Sequence, residues 1–274
     1  MNAVAVIMKK EVRDAVNSGW LILYGAAFAF LALGLSYLGQ RNLGSLGFEN
    51  FSRTTASILN LCLLLAPLIA LSMGAGSIAG ERDRGNLTYL LSQPLNRWEL
   101  LLGKYAGLVT AISVATIAGF GAAGLVIATF AHSMDVGTYV LLLGLVIVLV
   151  AVMTGLGVVA SVVSANRVQA LGIAMLVWFF AVLFFDLVLI GMVSSTSLGG
   201  AGLLATLLLN PVEIVRVLAI IHLEPDLQVL GPFGSYLLES LGTTAATAVL
   251  SAALAVLVVA PMSAAVWLFR SRDG

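Results

Sequence analysis

Six stretches of this chain stay apolar for about twenty positions or more: 20–38, 56–79, 105–131, 138–163, 170–193 and 243–269. A bilayer's hydrocarbon core of ~30 Å, crossed at ~1.5 Å per residue, takes about 20 residues. Each stretch therefore predicts a transmembrane helix. Five contain no Asp, Glu, Lys or Arg, and the fifth in order contains only Asp186. Strands of an outer-membrane barrel would be shorter and would alternate in polarity, which these stretches do not. The expected fold is all-α and polytopic, one domain over 1–274 with six transmembrane helices.

A different pattern precedes the first span. Val4, Met8, Val12 and Val16 recur at i, i+4 with Ile7 beside them, while Lys9, Lys10, Arg13 and Asp14 fill the remainder. Residues 2–16 thus predict an amphipathic helix lying in the membrane interface. They are too polar to form the apolar centre of a cleaved signal peptide.

Composition agrees with this picture. Hydrophobic residues make up 61% of the 274 and charged ones 9%, against about 25% charged in an ordinary globular chain; mean hydropathy is +1.09. A water-facing shell cannot be built from so little charge, which excludes a cytosolic enzyme, a disordered protein and a nucleic-acid binder. The 13 basic and 13 acidic residues cancel. An even number of spans places both termini on one side. With that side cytoplasmic, the outer segments hold only Arg41, Arg53 and Arg216 of the 13 lysines and arginines, leaving ten inside. That asymmetry predicts N-in, C-in in a bacterial inner membrane.

Residues 80–104, GERDRGNLTYLLSQPLNRWELLLGK, concentrate the charge. Asn86 to Ser92 can form a short helix with Leu87, Leu90 and Leu91 on one side, which Pro94 must end. Asn96 followed three residues later by Glu99 is the order of a capping box and opens a second helix toward span three. A plain connector does not need Leu87, Leu90, Leu91 and Trp98 in water. This cytoplasmic hairpin is expected to dock on a partner.

An interfacial helix, two spans around this hairpin and four further spans together resemble the type-2 ABC transporter permeases. The positions matching that family's pattern are Glu81, Gly85, Leu87, Leu91, Pro94, Leu95, Arg97, Leu100, Gly103 and Lys104. The resemblance implies that the hairpin is a coupling loop, with Arg82 beside the motif and Glu81, Arg97 and Glu99 as anchors for an ATPase subunit. It also implies two copies of this chain and two of the ATPase, with ATP and Mg bound by the latter. More narrowly, WFFAVLFFDLVLIGMV and LLLNPVEIVRVL resemble the permease subunits of transporters that mature nitrous-oxide reductase, which implies a periplasmic copper-handling partner. Alternatives are export of a small molecule, lipid or peptide, and, less well supported, an ATP-independent secondary carrier. Such carriers tend to show inverted repeats and midplane polar clusters, neither of which is evident here.

The chain carries no phosphate-cradling G-x-x-x-x-G-K-[ST]: Lys104 is followed by Tyr105, and Trp98 stands where the first glycine belongs. No cofactor and no catalytic residue are expected in it. Gly119, Gly121 and Gly124 match a dinucleotide fingerprint by letters but sit inside an apolar span, where glycines serve close helix packing. Gly76–Gly80 and Gly103–Gly107 at GxxxG spacing predict tight packing near the hairpin, within the chain or between two copies.

Asp186 would cost ~2.5–3.5 kcal/mol if ionised at mid-membrane. A hydrogen-bonded anchor is its expected role, with a proton, a hydroxyl or backbone group, or Arg216 as partner; an ion or proton relay and an interfacial position with water access are the alternatives. In the outer segment 194–242, Asn210, Pro211 and Glu213 stand in cap, first-turn proline and N3 acid order. They predict a helix with Ile214, Val215, Leu218 and Ala219 on its apolar side, forming a packed lid or docking platform. His132, His222 and Cys62 are too scattered to ligate a metal. Any copper is expected on a partner.

Overall fold

The computed structural model describes residues 3–41, 47–86, 96–130, 135–185, 187–188, 200–223 and 242–272. Among these the chain is helical throughout, and six helices are long and apolar enough to cross a membrane. Helix α1 is Ala3–Val16 and α2 is Gly19–Arg41. Helix α3 runs Gly47–Asp83, α4 Arg97–Phe130 and α5 Val136–Val163. Helix α6, Arg167–Trp178, continues into a π-helix, Phe179–Phe184. Helices α7 (Gly200–Leu207), α8 (Pro211–Leu223) and α9 (Gly242–Arg272) complete the order.

Local chemistry explains the breaks. Ser18 separates α1 from α2: its hydroxyl donates to the Ala15 carbonyl and accepts from Leu21 N at 3.2 Å, ending one helix and capping the next. Asp135 caps α5 through Thr138 N and hydroxyl, at 3.2 and 2.6 Å. The Thr138 hydroxyl, then the Thr138 N–H, hold the Asp135 carboxyl below its ordinary range. Asn166 caps α6 from Gln169 N, while Gln169 Oε1 accepts from Ala165 N. Gly85 ends α3 at φ +70°, the left-handed geometry that favours glycine, with its N–H on the Arg82 carbonyl.

Helix α5 is the centre of the bundle, packed by α3, α4, α6, α8 and α9. Its apolar residues go all the way round, as a helix enclosed by others requires. The closest crossing is between α3 and α5. A Cβ on Gly74 would lie 2.6 Å from the Thr154 carbonyl oxygen and 3.0 Å from Gly157 Cα; one on Gly157 would lie 2.6 Å from the Leu71 carbonyl oxygen. The expected Gly76–Gly80 contact therefore falls elsewhere in the same span. Gly76 and Gly80 only graze the Arg167 side chain at 3.8 Å. The Gly103–Gly107 pair does make a close approach, within the chain: it seats α1, with Ile7 against Gly103 and Glu11 and Met8 against Gly107. Of the fingerprint glycines, Gly119 abuts the Phe28 ring and Gly124 the Tyr139 ring, while Gly121 has open space.

Of the stripe expected on α1, Val4, Ile7, Met8 and Val12 are half-buried, while Val16 is 51% exposed; Ala15 is buried, and the face against α4 also includes Glu11. Helices α3 and α4, 37 and 34 residues long, exceed what a bilayer needs. Their surplus turns meet beside α1, at the end of the bundle that carries both termini. The peripheral helices are the counterpart of this core: in the apolar stretch of α6 and its π-helix, 17% of residues are buried, against 61% in α3.

Candidate functional site

Of the segment 80–104, the described residues form two helix ends, the second of them the helix expected to run into span three. Helix α3 continues to Asp83 and α4 begins at Arg97. Leu87, Leu91 and Pro94 lie outside the described residues. Each charged side chain at the two helix ends has a definite structural partner.

Lys104 is central. Its Nζ lies 3.0 Å from Glu11 Oε2 and 3.4 Å from Glu81 Oε1, and its side chain is 4% exposed. Glu81 also meets Arg84 at 3.4 Å and Asn86 Nδ2 at 3.5 Å. One ammonium thus bridges a carboxylate from α1 and one from α3, with Lys104 itself on α4. Arg84 is largely exposed and adds little to the binding energy of the group. The buried Lys104 and Glu81 depend on each other, because an unpaired charge there would lack solvation.

The next two residues close the turn between α5 and α6. Arg82 Nη1 donates to the carbonyl of Ser164, the C-cap of α5. Asp83 Oδ2 accepts from Arg167 N, the first residue of α6, at 2.9 Å. A cation thus sits at a helix C-terminus and an anion at a helix N-terminus, where the unsatisfied backbone groups favour them. Deeper in the same contact, Ser161 Oγ accepts from Ile78 N and Ala79 N at 2.9 and 2.8 Å. On the other side, Arg97 Nη1 donates to the carbonyls of Phe269 and Arg270 at 3.4 and 3.2 Å, in the last turn of α9. Glu99 Oε2 accepts from Asn96 N at 3.0 Å, one half of the predicted capping box.

Glu81, at 7% exposure, is buried against Lys104, and Arg97 reaches the last turn of α9. Glu11, Asp83 and Arg167, which the sequence pattern does not mark, are part of the site. The available signal for Glu11 was an acid at i+4 from Ile7 and i−4 from Ala15, inside an apolar face. In the first turns of α4, Trp98 is exposed, while Leu101 and the motif residue Leu100 are buried.

At the opposite end, Asn210 begins α8. Its Oδ1 accepts from Val212 N at 3.0 Å, and its Nδ2 donates to the Ala181 carbonyl of the π-helix at 2.7 Å. Pro211 follows as the first helical residue. Glu213 is 3% exposed and meets Arg216 at 2.7 Å. Ile214, Val215, Leu218 and Ala219 are all buried, and so are Val212 and Val217. Helix α8 is thereby packed into the bundle against α3, α5 and α9. Asp186 lies outside the described residues. The ion pair with Glu213 is one established partner of Arg216.

Comparison with known proteins matches this architecture. The model of the ABC-2 family transporter protein family covers residues 5–274. The probable ABC transporter permease protein NosY of Stutzerimonas stutzeri is 35% identical over 224 residues, 80% of this chain and 81% of that protein. The protein of the same name from Pseudomonas aeruginosa is 34% identical over 224 residues, 80% of this chain and 82% of its own length. With six membrane-crossing helices and a family match along almost its full length, the chain belongs to the ABC-2 transporter family, as a multi-pass membrane permease subunit of a kind that works with a partner ATPase.

Proposed function

We propose that this permease converts movement of an ATPase docked on residues 84–96 into coordinated movement of its helices, and passes that movement to a periplasmic partner in the copper-site maturation of nitrous-oxide reductase. One observation carries the mechanical part. The residues at the two roots of the hairpin, Glu81, Arg82, Asp83 and Arg97, hold α1, α4, the α5–α6 turn and the end of α9. A displacement imposed on the hairpin is delivered to all of these at once. In this reading Leu87, Leu91, Pro94 and the exposed Trp98 form the docking surface, and Glu81, Arg82, Asp83, Arg97 and Lys104 transmit.

The termini face the cytoplasm of a bacterial inner membrane, in keeping with the lysine and arginine distribution, and α1 lies at that interface. The scarcely buried α6 face, with Phe179, Phe180 and Phe184 outward, supports a second copy of the chain as neighbour. ATP and Mg bind the ATPase. The subfamily likeness, over 80% of the chain, supports the copper role, with the metal on the periplasmic protein.

The test is co-purification of the full chain with its ATPase, together with the copper content of nitrous-oxide reductase made in the same cells. Leu87→Glu with Leu91→Glu should lose the ATPase. Asp83→Asn should keep the ATPase but yield copper-deficient reductase. Retention of the ATPase by the leucine variant overturns the docking surface. A fully copper-loaded reductase in cells lacking this chain overturns the maturation role.

A further inference from the structure

At the end of the bundle carrying the termini, the ion-paired group forms one wall of a cavity of about 300 Å³, large enough for a small ligand's polar portion. Three carboxylates line it (Glu11, Asp14, Glu81), and three cations (Arg84, Lys104, Arg167). Four of these six are engaged with each other, through Lys104 to both glutamates and Arg84 to Glu81. The remaining two are of opposite sign. Among the described residues no ion pair or side-chain hydrogen bond engages the Asp14 carboxylate or the Arg167 guanidinium, whose residue is held only through its backbone N–H by Asp83.

A second, apolar groove of about 200 Å³ adjoins this cavity, and Trp20, Ser72 and Met175 belong to both. The groove follows α2 and α3 away from the charged end, along Leu23, Leu65 and Leu68. These residues lie in spans one and two, so what occupies the groove is in contact with hydrocarbon. A water-soluble metabolite has no reason to enter it. Trp20, 59% exposed, stands at the junction, the depth at which tryptophans meet lipid headgroups.

We infer that the cavity formed by Asp14 and Arg167, continuous with the apolar groove at Trp20 and Met175, is a site for one phospholipid with a zwitterionic, ammonium-bearing headgroup. Arg167 takes the phosphate, for which the guanidinium fork is suited. Asp14 accepts from the primary ammonium, and an acyl chain lies in the groove. With Glu11 and Glu81 already paired, the Asp14 carboxylate leaves Arg167 as the one cation open to a phosphate and disfavours a further anionic group on the headgroup. A quaternary ammonium has no N–H to give Asp14, and one tryptophan does not make the aromatic cage such a cation uses. Phosphatidylethanolamine satisfies all three conditions.

The experiment uses the full chain, purified in mild detergent and given phosphatidylethanolamine, phosphatidylcholine or phosphatidylglycerol, with lipid retention read by native mass spectrometry and melting temperature measured in parallel. Phosphatidylethanolamine should be retained at about tenfold lower concentration than the other two and should raise the melting temperature most. Asp14→Asn and Arg167→Gln should each erase that preference while leaving helix content unchanged, since both residues are exposed. Lys9→Gln, on another face of α1, should keep it. Equal retention of the three lipids, or an unchanged preference in both variants, overturns the proposal. So does efficient crosslinking between Met175→Cys residues of two copies with no lipid retained, which would assign the groove to a second chain.

Discussion

The Asn210 side-chain amide donates to the Ala181 carbonyl across 2.7 Å, tying the start of α8 to the π-helix of span five. The same side chain caps α8 through Val212 N, so one residue joins two elements far apart in sequence. π-Helical turns in long helices are rare and often mark functional positions; here an external donor supports one. Asn210→Ala should remove the cap, at about 1 kcal/mol, and the Ala181 bond as well. Asn210→Asp is the sharper test. It caps as well as asparagine but sets a carboxylate oxygen against a carbonyl, so its melting temperature should fall at least as far as that of the alanine variant. A wild-type melting curve for Asn210→Asp would contradict the role of the bond.

Lys104 between Glu11 and Glu81 makes an asymmetric prediction. Lys104→Met leaves two carboxylates with little solvation and should destabilise by about 3–5 kcal/mol, the usual result of breaking one side of a buried pair. Glu11→Gln keeps a hydrogen-bond acceptor for Lys104 and should cost clearly less. Combining Lys104→Met with Glu11→Leu and Glu81→Leu removes every member together and should recover most of the loss. Denaturant or thermal unfolding of the four proteins in one detergent checks the order.

Gly74 and Gly157 set the distance between α3 and α5. Because a Cβ at either would meet opposing backbone at 2.6 Å, Gly74→Ala and Gly157→Ala force the two helices apart, an overpacking cost of typically ~1–3 kcal/mol. Gly144→Ala, where nothing lies within 4 Å, should instead stabilise by up to about 1 kcal/mol through helix propensity. Thermal shift measurements on the three substitutions distinguish the crossing from a general glycine effect.

Arg97 holds the last turn of α9 by the carbonyls of Phe269 and Arg270. Hydrogen bonds from a charged donor are worth about 1.5–3 kcal/mol, so Arg97→Ala should let that turn open more often. Amide exchange over 268–272 should accelerate roughly tenfold, with residues 142–158 of the central helix unaffected. Uniform acceleration along the whole chain would instead mean a global loss of stability.

The membrane fold was readable because its cause is one-dimensional: a bilayer selects runs of apolar residues by length, and a run is visible without knowing its neighbours. Helix caps were readable for the same reason. Asn210–Pro211 and Asn96–Glu99 each act within a few residues along the chain. The partners of Glu81 and Arg97 were a different matter. Both look like solvated charges in sequence, and only the meeting of α1, α3, α4 and α9 set Glu81 against Lys104 and Arg97 against the last turn of α9.

Chain order alone therefore determined how many helices can cross the membrane, which segment concentrates the charge and several of the local signals that start helices. The tertiary structure decided which glycines let backbones touch, that Glu11 rather than Val16 belongs to the packed face of α1, and which ion pairs join α1, α3 and α4. Those outcomes depend on helix rotation about its own axis and on partners dozens of residues away. Periodicity limits that rotation to a broad arc; contact between side chains on different helices selects the angle.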